Sequence, residues 1–342
     1  MISFLISLAA LIAGYFIYGT IVEKVFGIQP ERKTPALTMP DGVDYIPLPW
    51  YKIFMIQLLN IAGLGPIFGA IMGALYGPAA FLWIVLGSIF AGAVHDYMSG
   101  MLSIRHKGKS ISEIVGIYLG DSMKVFMRLF SVVLLVLVGT VFIAGPALLL
   151  AKLGGEGIFA NKWFWLTIII TYYFIATILP IDKIIARLYP VFGAVLLIMA
   201  FMILVVMLGK GFNGSLQIHE LGLSDFKNFH RNPDANFLYP MMFILISCGA
   251  ISGFHATQSP MMARCLTNEK QARFAFYGAM IAEGIVTMIW ATAAMNYFGD
   301  VEGLNYTLTN PNHDPAWIVN EICNSWLGKV GAVIAIIGVV AC

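Results

Sequence analysis

An all-α integral membrane protein, built as a polytopic helix bundle, is predicted by three features of this 342-residue sequence. Hydrophobic residues make up 59% and charged residues 11%, mean hydropathy is +0.84, and the apolar residues gather into runs long enough to cross a bilayer. Soluble domains carry roughly 25% charged residues, so this chain has too few solvated side chains for a soluble surface. That excludes a soluble globular enzyme and a disordered protein. A net charge of +2 gives no reason to expect a nucleic-acid partner. Cys248, Cys265, Cys323 and Cys342 form no C-x-x-C pair, so neither a metal site nor a disulfide framework is indicated. All four read as small buried hydrophobes.

A membrane helix needs about 20 mostly apolar residues. Runs of that kind fall near 2–22, 53–77, 79–98, 125–150, 163–180, 189–208, 238–254 and 274–295, with a ninth beginning near 329. The first has no basic leading region and is too long for a cleaved signal peptide, so it is expected to remain as a span. The ninth run holds barely a dozen residues, roughly 18 Å of helix against a hydrocarbon core of about 30 Å. A truncated product is therefore expected. The loops after spans 1, 3, 5 and 7 hold thirteen Lys and Arg, against six after the even spans. The positive-inside rule then puts the N-terminus outside. The polar stretches 210–237 and 296–328 would lie outside as well, with His313, Asp314 and Glu321 simply solvated. Trp163, Trp165, Trp317 and Trp326 sit near span ends, as interfacial anchors do.

Two spans do not read as straight helices. The second contains Asn60-Ile-Ala-Gly63-Leu-Gly65-Pro66. Pro66 lacks an N–H and suits the first position of a new helix. Half-helices over 53–62 and 66–77, separated by unwound backbone, are expected, with a plain proline kink as the alternative. The seventh repeats the device with Cys248-Gly249-Ala-Ile-Ser252-Gly253-Phe-His255-Ala-Thr257-Gln258-Ser259-Pro260. Ser259 and Pro260 form an N-cap and first-position pair for a second half-helix. The alternative is a span ending at 254, followed by a surface helix. Spans 2 and 7 are five apart and so run in opposite directions. That is the pattern of a leucine-transporter-like inverted repeat, whose broken helices build a substrate site at the midplane. The domain reading is one transmembrane domain: an extra span at 1–22, a first repeat over 53–208, and an incomplete second repeat over 238–342.

A half-helix N-terminus presents free N–H groups and about half a positive charge, which favours a carboxylate. The amides after Gly65, with Asn60 and Pro66 beside them, are one candidate cradle. Those after Ser259, with Thr257 and Gln258, are a second. Carbonyls freed at Ala62–Gly63 and Ser252–Gly253 are candidate acceptors for a cation or substrate donor. Glu283 lies ten residues into the eighth span, where a charge costs roughly 2.5–3.5 kcal/mol on insertion scales. It is a candidate for proton or ion coupling, or else a structural carboxylic acid hydrogen-bonded between helices. His255 is its candidate relay partner, or a satisfied structural group. His95 and Asp96 end the third span and read as an interfacial cap beside Arg105. Gly65, Gly69, Gly73 and Gly77 form a small-residue face suited to close helix packing.

Several stretches resemble the carbon starvation protein A (CstA) family. They are Asp41-Gly-Val-Asp-Tyr-Ile-Pro47, Ile61-Ala-Gly-Leu-Gly-Pro66, Gly92-Ala-Val-His-Asp96 and Ser247-Cys-Gly-Ala-Ile-Ser-Gly-Phe-His-Ala256, with Asn268-Glu269-Lys270 and Ala272-Arg273 following. The resemblance implies a multi-spanning inner-membrane transporter serving growth on scarce nutrients, taking up pyruvate by proton symport in some members and peptides in others. Family members continue past Cys342 with a segment containing Pro and Thr or Ser. The expected function is import of a small carboxylate, pyruvate, with a proton or sodium ion as coupling ion and no cofactor. Peptide uptake and a non-transporting membrane sensor or scaffold are the alternatives. No P-loop is present, and no His-Glu-x-x-His or Gly-x-Ser-x-Gly lies on a span, so an enzyme is not expected. Oligomeric state is left open.

Overall fold

The structure, a computed structural model, describes residues 1–178 and 185–340. Every regular element among them is a helix. In chain order these are α1 (Ile2–Phe26), α2 (Trp50–Ala62), α3 (Gly65–Ala74), α4 (Ala79–Arg105), α5 (Ile111–Leu119) and α6 (Asp121–Leu153). Then come α7 (Lys162–Ile178), α8 (Ile185–Phe212), α9 (Phe243–Ala250), α10 (His255–Ala263), α11 (Glu269–Tyr297), α12 (Val301–Thr307) and α13 (Pro315–Val340). Seven helices or helix runs among the described residues are long and apolar enough to cross a membrane. The bent pair α2–α3 makes an eighth, and α7 is a shorter apolar helix. Residues 179–180 of the fifth predicted span, and 341–342, lie outside the described residues.

Burial separates the helices by role. Most of α11 is buried, with Trp290, Ala291 and Ala294 fully enclosed, whereas α6 buries little of its length. The exposed side of α6 carries Val132, Val133, Val136 and Leu137, a surface that suits lipid chains. Lipid is as apolar as these side chains, so helix association must come from close packing and polar contacts. The glycine face of α3 supplies the packing. Cβ atoms on Gly69 and Gly73 would lie 2.6 Å from the Leu245 carbonyl oxygen and 2.5 Å from Ile246 Cγ1 of α9, and one on Gly65 would overlap the Cys248 carbonyl oxygen. Gly77, three residues past the end of α3, takes φ +90° against Phe229.

The two ends of the bundle are tied by different chemistry. At one end, the Asn305 side-chain amide donates to the carbonyls of Leu75 (2.9 Å) and Phe229 (3.2 Å), and Glu220 binds the start of α1. At the other, Arg105 donates to the Gly27 carbonyl (2.6 Å) and pairs with the buried Glu269 carboxylate (3.0 Å). Arg264 there reaches Asp44 (2.9 Å) and the Gly108 carbonyl (2.9 Å). The basic residues Arg105, Arg264 and Arg273 share this second end.

Several expectations change. The stretch 296–328 is not an extended polar loop, because α12 and the first half of α13 lie in it. Asp314 accepts from the Trp317 N–H (2.7 Å) and Pro315 takes the first position, so α13 starts fourteen residues before the apolar run at 329. The helix kinks at Gly328, φ +67°. Asp314 is paired with Lys152 (2.5 Å), and His313 stacks on Trp317 with centroids 3.7 Å apart. Neither residue is merely solvated. Cys265 and Cys323 are buried as expected, whereas Cys248 is exposed and Cys342 lies outside the described residues.

Candidate functional site

The α2–α3 interruption is a true break. Helix α2 stops at Ala62, Gly63 takes φ +48° and ψ −145°, and the two segments meet at a 53° bend. Only glycine accepts that backbone readily. A Cβ at Gly63 would also overlap the Phe142 ring of α6. In the seventh span α9 ends at Ala250, Ile251 is extended (φ −162°, ψ 91°), and α10 opens at His255. Residues 251–254, including Ser252 and Gly253, form the interruption.

The second half-helix therefore begins five residues earlier than Ser259-Pro260 suggests. Ser259 is not an N-cap: it lies inside α10, as does Pro260. The amides after it are not a free cradle. At the real N-terminus the His255 N–H donates to the Ser252 carbonyl (3.1 Å) and the Thr257 N–H to the Phe254 carbonyl (2.9 Å). Proline remains compatible with this placement because it sits in the second turn of a nine-residue helix, where one lost backbone bond is tolerated by surrounding protein. After Gly65 the Ile67 and Phe68 amides likewise donate to the Leu64 carbonyl. Both half-helix starts thus spend amides locally.

The remaining candidate side chains divide between two faces of α10. Phe254 and Gln258, four residues apart, border a cavity of about 530 Å³ that is also lined by Asn60, Phe142, Tyr173 and Tyr189. The Gln258 amide donates to Thr257 Oγ1 (2.9 Å), whose hydroxyl is bonded to the Phe254 carbonyl (2.7 Å). His255 and Ser259, again four apart, face the buried interior. Ser259 Oγ accepts from the Gln57 side-chain amide of α2 (3.0 Å). His255 stands between two carboxylates: Nδ1 lies 3.2 Å from Asp96 Oδ2, and Nε2 lies 3.8 Å from Glu283 Oε2. All three side chains are completely buried. Among the described residues neither Glu283 oxygen has a hydrogen-bond partner, nor does His255 Nε2.

Asp96 is the residue that sequence reasoning misplaced. Taken as an interfacial cap beside Arg105, it is instead fully buried, with Oδ1 bonded to His95 Nδ1 (2.9 Å) and Oδ2 turned to His255. Arg105 pairs with Glu269. The reason is length: α4 runs on to Arg105, nine residues past Asp96, which sets Asp96 roughly 13 Å inside the helix end. The His-Asp pair inside an otherwise apolar run was the available signal. Thr287 of α11 completes the crossing, its hydroxyl lying 2.8 Å from the Gly249 carbonyl and 2.9 Å from the Glu283 carbonyl. Among the described residues no group of His, Cys, Asp and Glu is arranged to hold a metal ion.

The family model described as "Carbon starvation protein CstA" matches residues 1–152 and 143–332. An "Uncharacterized membrane protein" of Haemophilus influenzae is 44% identical over 346 residues, covering 89% of this chain and 93% of the relative. The "Pyruvate/proton symporter BtsT" of Escherichia coli is 28% identical over 80% of this chain and 46% of its own length. A "Peptide transporter CstA" of Campylobacter jejuni is 28% identical over 81% of this chain and 47% of its own length. The chain spans about half the length of these two transporters. No solved structure matches. The two interrupted helices and the buried Asp96–His255–Glu283 cluster thus occur in a chain that belongs to the carbon starvation protein CstA family.

Proposed function

We propose that this chain carries the substrate and coupling sites of a secondary transporter that imports a small carboxylate, pyruvate, by proton symport through the cell inner membrane during carbon starvation. The carrying observation is the unpartnered Glu283 carboxyl 3.8 Å from Nε2 of His255, a residue of α10, whose Gln258 borders the 530 Å³ cavity. A carboxyl so enclosed is held at lower cost as the neutral acid or as one member of a proton-sharing pair. The proton is the coupling ion in this reading, rather than sodium. The names of the Escherichia coli and Campylobacter relatives support transport of pyruvate or peptides.

In this scheme the Asn60 and Gln258 amides receive the substrate carboxylate in the cavity, and the chain breaks at Gly63–Pro66 and Ser252–Gly253 are the hinges for alternating access. The opposite directions of α2–α3 and α9–α10 support the inverted-repeat reading. The clustering of Arg105, Arg264 and Arg273 at one end supports an N-terminus outside.

Labelled pyruvate uptake into vesicles holding the full-length gene product tests the proposal. Uptake should require an inward proton gradient, persist without sodium, and fall at least tenfold in Glu283→Gln. Undiminished uptake in that variant removes Glu283 from the mechanism. A peptide substrate is the second reading, favoured by a cavity larger than a three-carbon acid fills; competition by dipeptides but not by pyruvate selects it. Transport of neither leaves a sensor or scaffold.

A further inference from the structure

Asp96 is a buried carboxylate with no part in the transport scheme above. Among the described residues it touches two imidazoles, His95 at 2.9 Å and His255 at 3.2 Å, and no cation from Lys or Arg. We infer that Asp96 is the positioning residue of the proton site: it holds His255 in the Nδ1–H form, so that Nε2 exchanges the proton with Glu283. This rests on the transport reading and adds to it the residue that sets the direction of the imidazole.

The argument is one of hydrogen-bond inventory. An ionised carboxylate can only accept, and a neutral imidazole has one N–H and one lone pair. With Oδ2 of Asp96 against Nδ1, the N–H belongs on Nδ1 and the lone pair on Nε2. That lone pair faces Glu283, whose two oxygens have no other partner. In the transfer, the Glu283 O–H bond breaks and an Nε2–H bond forms. The products are a carboxylate and an imidazolium, whose Nδ1–H stays on Asp96. The separation of 3.8 Å is longer than a hydrogen bond, as resting-state proton-transfer geometry often is. His255 is the first residue of α10 after the interruption, so a small tilt of α10 changes this distance. The site is thereby coupled to the hinge.

Among the described residues the groups facing His255 are few. Helix α4 supplies Asp96 and His95, α11 supplies Glu283, and α9 places the Cys248 thiol within electrostatic range of Glu283. Helix α2 contributes the neutral Gln57, bonded to Ser259, and Glu113 of α5 is engaged with Ser110. The counter-charge for an imidazolium at 255 is therefore Asp96 on one side and Glu283 on the other.

The test compares wild type, Asp96→Asn, Asp96→Glu and Glu283→Gln in vesicles, measuring proton-driven pyruvate uptake against pH. The imidazolium formed in the transfer keeps its Nδ1–H on the Asp96 carboxylate, and an amide at 96 removes that opposite charge. Asp96→Asn should move the uptake profile to lower pH and cut uptake about tenfold or more near neutrality, while Asp96→Glu restores most of it. The second readout is the 15N spectrum of His255, assigned by its loss in His255→Gln. Wild type should show protonated Nδ1 and bare Nε2 at neutral pH, and Asp96→Asn a mixture. An unchanged pH profile in Asp96→Asn, with Glu283→Gln inactive, overturns the role of Asp96 and leaves the transport reading intact. A wild-type spectrum showing the Nε2–H form overturns it too, even if Asp96→Asn fails to fold. Absence of all wild-type uptake with the Nδ1–H form present sinks the transport reading instead.

Discussion

Pro66 and Gly249 meet where the two interrupted helices cross. A Cβ on Gly249 would lie 2.8 Å from Pro66 Cα and would overlap the hydroxyl of Thr287, which is bonded to the Gly249 carbonyl. The contact is backbone against backbone, so neither side can yield by turning a side chain. Gly249→Ala should cost about 1–3 kcal/mol, the usual penalty for overpacking. Gly253→Ala is the control, because a Cβ there meets nothing within 4 Å, and its effect should stay within about 0.5 kcal/mol. Unfolding of the purified protein in detergent checks both, and equal costs would deny the crossing its special tightness.

Arg105 and Glu269 close the basic end of the bundle. Glu269 is fully buried and accepts from Arg105 (3.0 and 3.3 Å) and from the Gln29 N–H (2.7 Å). Removing one member of a buried pair strands the other, at about 3–5 kcal/mol. Arg105→Ala should show a loss of that order. The double variant Arg105→Ala/Glu269→Gln should lose clearly less than the two single costs added, because no uncompensated charge remains. Strict additivity in a double-mutant cycle would contradict the pairing.

Glu220 ties the start of α1 to the segment 213–237. Its carboxylate accepts from the Ile2 N–H (2.8 Å), the Ser3 N–H (2.8 Å) and Ser3 Oγ (2.7 Å), and it also pairs with the Met1 amino group. Partial burial pushes this carboxyl up, but the Met1 amine and the Ser3 and Ile2 donors outweigh it and hold it down to about 2, below the ordinary 4.5. A depressed acid contributes stability above its unfolded value and loses it as pH falls through the folded one. Hydrogen exchange at the Ile2 and Ser3 amides should therefore be slow above pH 4.5 and quicken as pH falls toward about 2, relative to the intrinsic rate. Glu220→Gln should show severalfold faster exchange at neutral pH. Equal protection in that variant would show that the carboxylate charge plays no part.

Much of the architecture was legible in the linear pattern because a bilayer asks a simple question of a sequence. Apolar runs such as 274–295 must be helices, since no water is present to satisfy an exposed backbone. The interruption at Gly63–Gly65–Pro66 was readable for the same local reason: missing side chains and a missing N–H act on their own backbone. The second interruption was placed correctly, but its restart was not. Ser259-Pro260 carries a strong local signal that is overridden when residues 255–263 pack as one helix between α2 and α4.

What the sequence determined by itself was the class of molecule, both chain breaks, and one carboxyl in a buried span, Glu283. Local chemistry and solvent exclusion suffice for each of these. Only the tertiary structure decided which groups meet. It buried Asp96, set His255 between Asp96 and Glu283, sent Arg105 to Glu269, and put Gln258 with Asn60 on a cavity. Except for His255–Glu283, which lie on successive helices, these pairings join residues more than a hundred positions apart, and their geometry depends on helix length, rotation and crossing. Those are properties of packed surfaces, which no local run of residues contains.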